Sequence, residues 1–156
     1  MPQLPSVGEL IAPIIGNVPE EQRPLLVALA EKIAAGRYRD WAKQASLSDR
    51  QELLACADRE EEIARRVESL YPDAAAVQAD LLVKHPDIEQ AYRDLFSGHP
   101  IQDQYAIQAA GERLGAATWR ALARDADRDE QRKTFLDNAE LEEASAAVLE
   151  ALVAAD

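Results

Sequence analysis

The 156-residue chain predicts an all-α fold, an antiparallel four-helix bundle, on three observations. Ala, Leu, Glu, Arg and Gln dominate, while only six glycines and eight prolines occur, which is a helix former's composition. Apolar residues recur at spacings of 3, 4 and 7, so that they share one helix face. Prolines and capping residues divide these stretches into four long segments, joined by two short links and one long one.

Residues 1–18 carry three prolines and two glycines and read as an extended N-terminal arm, with room for one short helical turn. A single bundle domain then covers residues 19–154. Its first helix starts at Pro19, since proline is well tolerated in a first turn, and runs to about Ala45, with Pro24 early enough to be accommodated. Leu47-Ser48-Asp49-Arg50-Gln51 supplies a staple residue, an N-cap serine and a capping-box glutamine. The second helix accordingly runs from Asp49 to about Leu70, where Tyr71-Pro72 stops it. The stretch from Asp73 to Gly98 is too polar and interrupted for one full-length helix, and it holds two short ones with Pro86 between them. His99-Pro100 opens the third long helix, and Asp127 caps the fourth, which ends near Val153. Short links make antiparallel neighbours, and the long crossover between the second and third helices carries the chain back along the bundle.

Composition excludes several classes of function. A chain of this size buries roughly 70% of its unfolded surface, and with 47% apolar and 29% charged residues it is neither disordered nor membrane-like. A formal charge of -12 argues against nucleic acid, whose phosphates need clustered Lys and Arg, and against anionic lipid surfaces. There is no apolar run of about 18 residues to span a bilayer, and Met1–Gly16 lacks the basic start of a signal peptide. The single cysteine, Cys56, excludes an internal disulfide and fits a reducing, cytoplasmic location. No glycine-rich phosphate loop, Gly-x-Ser-x-Gly elbow, Cys-x-x-Cys pair or His-Glu-x-x-His is present.

The two halves of the chain resemble each other. Ala30-Glu31-Lys32-Ile33-Ala34-Ala35 aligns with Gly111-Glu112-Arg113-Leu114-Gly115-Ala116, and Tyr38 then falls on Trp119. One inserted residue later, Glu60-Glu61-Glu62-Ile63-Ala64 falls on Glu142-Glu143-Ala144-Ser145-Ala146. Helical geometry gives these glutamates meaning. Val27, Ala28, Ala34, Ala35 and Tyr38 surround Glu31 on its face, and Leu53, Cys56, Ala57, Ile63, Ala64 and Val67 surround Glu60. Glu112 lies among Tyr105, Gln108, Ala109, Gly115, Ala116 and Trp119, and Glu142 among Phe135, Asn138, Ala139, Ser145, Ala146 and Leu149. The competing Glu61 and Glu143 lie on more mixed faces.

A bundle that turns these stripes inward buries four carboxylates, and no stripe places a lysine or arginine next to its glutamate. An unpaired buried carboxylate costs about several kcal/mol, so it shares a proton, binds water or binds a cation. Glu31, Glu60, Glu112 and Glu142 are therefore the candidate metal ligands, and small residues such as Ala34 and Gly115 leave room beside them.

On these residues the chain resembles the ferritin-like superfamily, of the rubrerythrin and bacterioferritin type, over about residues 19–154. The resemblance implies a dimetal site built from one Glu on each of the first and third helices and a Glu-x-x-His on each of the second and fourth. Glu31 and Glu112 stand in the single-Glu places, with Tyr38 and Trp119 seven residues on. At Glu60 and Glu142 the motif's histidine is replaced, by Ile63 and by Ser145. What remains is an all-oxygen set, which favours harder divalent ions (Fe, Mn, Zn, Mg or Ca) over imidazole-dependent iron redox chemistry. The expected function is thus a ferritin-like protein with a reduced, carboxylate-only mid-bundle site and with classical diiron oxidase activity weak or lost. A non-catalytic helical scaffold that keeps the fold without metal is the alternative, and a metal-free enzyme using a raised-pKa glutamate is a third reading. The resemblance also implies a homodimer. His85 and His99 sit by prolines in or after the crossover as loop residues, and Cys56, Trp41, Trp119, Tyr38 and Tyr105 read as core fillers.

Overall fold

The computed structural model describes residues 3–155, so the first two residues of the expected arm lie outside it. Among the described residues there are seven α-helices, one short 3-10 turn and no strand. The helices are α1 (Val7–Gly16), α2 (Arg23–Gln44), α3 (Leu47–Glu68), α4 (Ala74–Lys84), α5 (Ile88–Phe96), α6 (Ile101–Arg124) and α7 (Asp129–Ala154). The 3-10 turn, Glu20–Gln22, precedes α2. Among the described residues no helix is long and apolar enough to cross a membrane.

The first departure from the sequence reading is α1. Residues 7–16 form a ten-residue helix rather than an extended arm. Ser6 caps it by accepting from the Glu9 amide at 3.4 Å, and the Asn17 side chain donates to the Pro13 carbonyl at 2.9 Å. Pro13 interrupts one internal hydrogen bond. Burial compensates: Ile11 is in the core, with Val7, Leu10, Ile14 and Ile15 packed on the same cluster. The second departure concerns caps. Ser46, not Ser48, caps α3, because its hydroxyl accepts from Asp49 N at 3.3 Å, and the helix therefore starts at Leu47. Residue 128 rather than Asp127 precedes α7, with no side-chain cap bond. The first long helix starts at Arg23, with Pro24 in its opening turn, and Pro19 stands ahead of the 3-10 turn.

The long helices pack as two antiparallel pairs, α2 with α3 and α6 with α7, and the pairs meet where α3 packs on α7. Two ion pairs mark the first antiparallel seam, Lys32–Glu68 at 2.5 Å and Arg39–Glu61 at 2.5 Å. Two more mark the second, Arg113–Glu150 at 2.9 Å and Arg120–Glu143 at 2.7 Å. Each pair in the first half has its counterpart in the second at the offsets that align the glutamates. Glu61 and Glu143 are thereby accounted for, since both face outward to an arginine.

The core has two ends. One gathers Leu25, Val27 and Ala28 of α2, Ile63 and Val67 of α3, Ala116 and Trp119 of α6 and Phe135 of α7. The other gathers Tyr38 and Trp41 of α2, Leu53 and Cys56 of α3, Tyr105 and Ala109 of α6 and Leu149 of α7. The end of α3 is at the first and the start of α6 at the second, so α4 and α5 must return the chain along the molecule. Gln78 of α4 donates to the Leu25 carbonyl at 3.3 Å, and Ile88 and Tyr92 of α5 join Leu26 and Leu29 of α2 in a third cluster.

Candidate metal centre

The candidate site lies between the two core ends. Every stripe the sequence marks is buried on α2, α3 and α7, and on α6 all but Gly115. The four glutamates are buried with them, Glu60 to 0%, Glu112 to 1%, Glu142 to 2% and Glu31 to 7% exposure. Three of them converge: Glu31, Glu60 and Glu142 each bring one carboxylate oxygen within 4.8 Å of the other two. Glu112 is the fourth buried carboxylate, close enough to Glu60 and Glu142 to raise both, and it has further partners of its own. Its Oε1 accepts from the Tyr38 hydroxyl at 2.6 Å and from Gln108 Nε2 at 2.8 Å.

The remaining carboxylate oxygens are poorly satisfied. Both oxygens of Glu60 and Oε2 of Glu112 are buried without a hydrogen-bond partner, a condition rare in folded proteins and costly when it occurs. Glu142 Oε1 receives a long bond, 3.4 Å, from the Trp119 indole. Gly115 makes room for the opposite oxygen: a Cβ there would lie 2.5 Å from Glu142 Oε2. The small residue the sequence pairs with ligand space is thus occupied by the carboxylate itself.

Burial pushes the Glu60 and Glu142 carboxyls well above the ordinary carboxylate range. The charges of Glu112 and Glu31 add to this for Glu60, and those of Glu31, Glu60 and Glu112 for Glu142. Burial raises Glu31 as well, while the close carboxyls of Glu60 and Glu142, each able to share a proton with it, hold it lower. Burial and the nearby Glu112 also drive the Tyr38 hydroxyl far up, so it remains a donor.

Two arginines reach the cluster's edge, although sequence spacing gives the stripes no cation. Arg37, six residues after Glu31, forks Nε and Nη2 onto Gln108 Oε1 at 3.1 and 2.8 Å. Arg59, next to Glu60, donates Nε to Ser145 Oγ at 3.0 Å and Nη2 to Cys56 Sγ at 3.2 Å. Neither side chain sits at a 3, 4 or 7 spacing. Each reaches in from the flank on its long stem, which helical periodicity does not register. His85 and His99 lie at the end of α4 and just before α6, half-buried, in the connection where the sequence puts them.

A cavity of about 60 Å³ adjoins the site, lined by Glu31, Glu112 and Glu142 together with Val7, Ile11 and Ile15 of α1. A single water needs about 10–15 Å³ of such space, so several fit. The donor set, all oxygen and with room for water, suits a hard divalent cation. Three carboxylates, among them Glu60 with both oxygens unpartnered, lie close enough to hold such an ion. No family model matches the chain, and neither do curated proteins or solved structures.

Proposed function

We propose that the chain is a ferritin-like four-helix-bundle protein that binds a divalent cation at a carboxylate-only site in mid-bundle, with the oxidase chemistry of that superfamily weak or lost. The observation that carries this reading is the convergence of Glu31, Glu60 and Glu142 within 4.8 Å in the interior, where among the described residues none of them has an ion pair and both Glu60 oxygens are unpartnered. The two antiparallel pairs, the returning α4–α5 connection and the repeated inter-helix ion pairs support the bundle.

Glu31, Glu60 and Glu142 would hold the ion, and waters in the adjoining cavity would complete its shell. A bound ion would supply charge neutralisation and Lewis acidity toward an oxygen in that cavity. The chain's own residues do the rest. Tyr38 and Gln108 fix the Glu112 carboxylate, Trp119 orients Glu142, and α1 lines one side of the cavity with the apolar side chains of Val7, Ile11 and Ile15. Ile63 offers no donor, and the Ser145 hydroxyl is engaged by Arg59, so neither replaces an imidazole. The homodimer and the cytoplasmic location go with the same reading.

A second reading, the metal-free scaffold, is favoured by the raised carboxyls themselves, which can share protons in place of a cation. Metal analysis separates the two. Protein purified without chelator is expected to carry about one or two equivalents of a divalent ion, lost in Glu60→Ala. Added Mn²⁺ at about 100 times its Kd should stabilise the protein by about 2.7 kcal/mol. Absence of metal, and no shift in melting with Fe, Mn, Zn, Mg or Ca, leaves the scaffold.

A further inference from the structure

We propose that the cavity lined by α1, α2 and α6 binds a small organic cation, a short primary alkylammonium whose charged head meets Glu31, Glu112 and Glu142. This goes beyond the metal reading and does not rest on it, because it needs neither an ion nor the ferritin-like resemblance.

The cavity wall divides by chemistry. One part is three buried carboxylates, Glu31, Glu112 and Glu142. Among the described residues none of the three has an ion pair, and Glu112 Oε2 is buried without a hydrogen-bond partner. Much of the rest is aliphatic: Val7, Ile11 and Ile15 of α1, Val27 and Ala30 of α2, and Leu114 of α6. The waters around a metal ion gain nothing from such side chains, since they need polar partners. An alkyl chain gains by leaving water for them. An apolar pocket with a few placed polar groups is the usual make-up of a site for a small organic molecule. An ammonium head puts three donors on a compact charge, which matches a group of carboxylates. Arg37 also lines the cavity, but its guanidinium is engaged by Gln108 Oε1 and lies 3.9 Å from the centre of the Phe96 ring. One arginine against three carboxylates leaves the field negative, so an anion is repelled.

Two glycines set the shape of the cavity. A Cβ on Gly8 of α1 would lie 3.0 Å from Leu114 Cδ2, and one on Gly111 of α6 would lie 3.1 Å from Val7 Cγ2. These close approaches seat α1 on α6 and hold two of the lining side chains in place. The space left is about 60 Å³, which takes about four or five groups the size of a water. That is an ammonium with a chain of three or four carbons. A diamine of the same length would bury its second charge unpaired among the aliphatic side chains.

Titration calorimetry of the chelator-treated protein with methyl-, ethyl-, propyl- and butylammonium tests this. One equivalent per chain is expected, with affinity rising about fourfold for each added carbon and falling again at hexylammonium. 1-Butanol and 1,4-diaminobutane should each bind about tenfold or more weaker than butylammonium, the first for want of a charge and the second for an excess of it. Ala30→Leu fills the cavity from α2 and should weaken butylammonium by about tenfold or more. Equal binding of 1-butanol, an affinity that stays flat along the series, or wild-type binding in Ala30→Leu would each overturn the proposal. The series in the wild type decides the matter even if Ala30→Leu does not fold. Amine binding without any Mn²⁺ uptake would keep the proposal and remove the metal centre, and Mn²⁺ uptake without amine binding would do the reverse.

Discussion

Glu60 has both oxygens buried and unpartnered, and the neighbouring carboxylates push its proton affinity up. The consequence for stability has a definite sign. A carboxyl that holds its proton more tightly folded than unfolded contributes fully below the unfolded value of about 4.3, and that contribution is lost as pH rises through the raised folded value. Metal-free protein should therefore become less stable as pH rises above the ordinary carboxylate range, because the raised carboxyls are then forced to give up protons that the fold holds. Urea melts of Glu60→Gln should show a shallower decline; an unchanged slope would contradict the burial argument. Gly115 separates site geometry from folding. Gly115→Ala gains up to about 1 kcal/mol of helix propensity, and the end of a flexible side chain yields to its Cβ, so the metal-free protein should keep its stability. Mn²⁺ affinity should fall, because the displaced group is the Glu142 carboxylate. The four glutamates were legible in the sequence because each interrupts an apolar stripe with the period of a helix. Arg37 and Arg59 were not, because a long side chain can enter a core from a position that its spacing assigns to the flank.

Elements were legible to the degree that their own sequence decides them. Both crossover helices follow from local punctuation at Pro72 and Pro86, and the second short link falls where Asp127 marks it although Asp127 does not cap the helix that follows. The helix α1 was hidden by its prolines and glycines, since what holds it is tertiary. Its apolar face packs beside α6, where Gly111 lets Val7 approach so closely that a Cβ would lie 3.1 Å from it. The serine cap of α3 slipped by two residues because Ser46 and Ser48 both have the right chemistry, and only Ser46 has the extended backbone a cap requires. A helix of ten residues with an internal proline is not stable alone, so α1 should be the first element to open. Ile11→Ala, at a buried position, should cost about 2–5 kcal/mol of α1 docking. Hydrogen exchange would show it as faster exchange confined to α1, whereas faster exchange throughout α2–α7 would mean that α1 belongs to the global unfolding unit.

At the scale of the molecule, the internal likeness is clearest on the surface. Lys32–Glu68 and Arg39–Glu61 reappear as Arg113–Glu150 and Arg120–Glu143, so the aligned halves make the same inter-helix contacts as well as similar helices. In the interior the likeness is only partial: Tyr38 serves Glu112, whereas its counterpart Trp119 donates to Glu142 besides helping to hold the Glu31 carboxyl lower. That asymmetry has an optical consequence. Each end of the core owns one tryptophan, Trp41 among Tyr38, Phe96 and Tyr105, and Trp119 beside Phe135 and 3.4 Å from a candidate ligand. A paramagnetic ion seated on Glu142 would darken Trp119 and spare Trp41. Emission that survives saturating Mn²⁺ should then vanish in Trp41→Phe, so the protein carries its own gauge of whether the centre is filled.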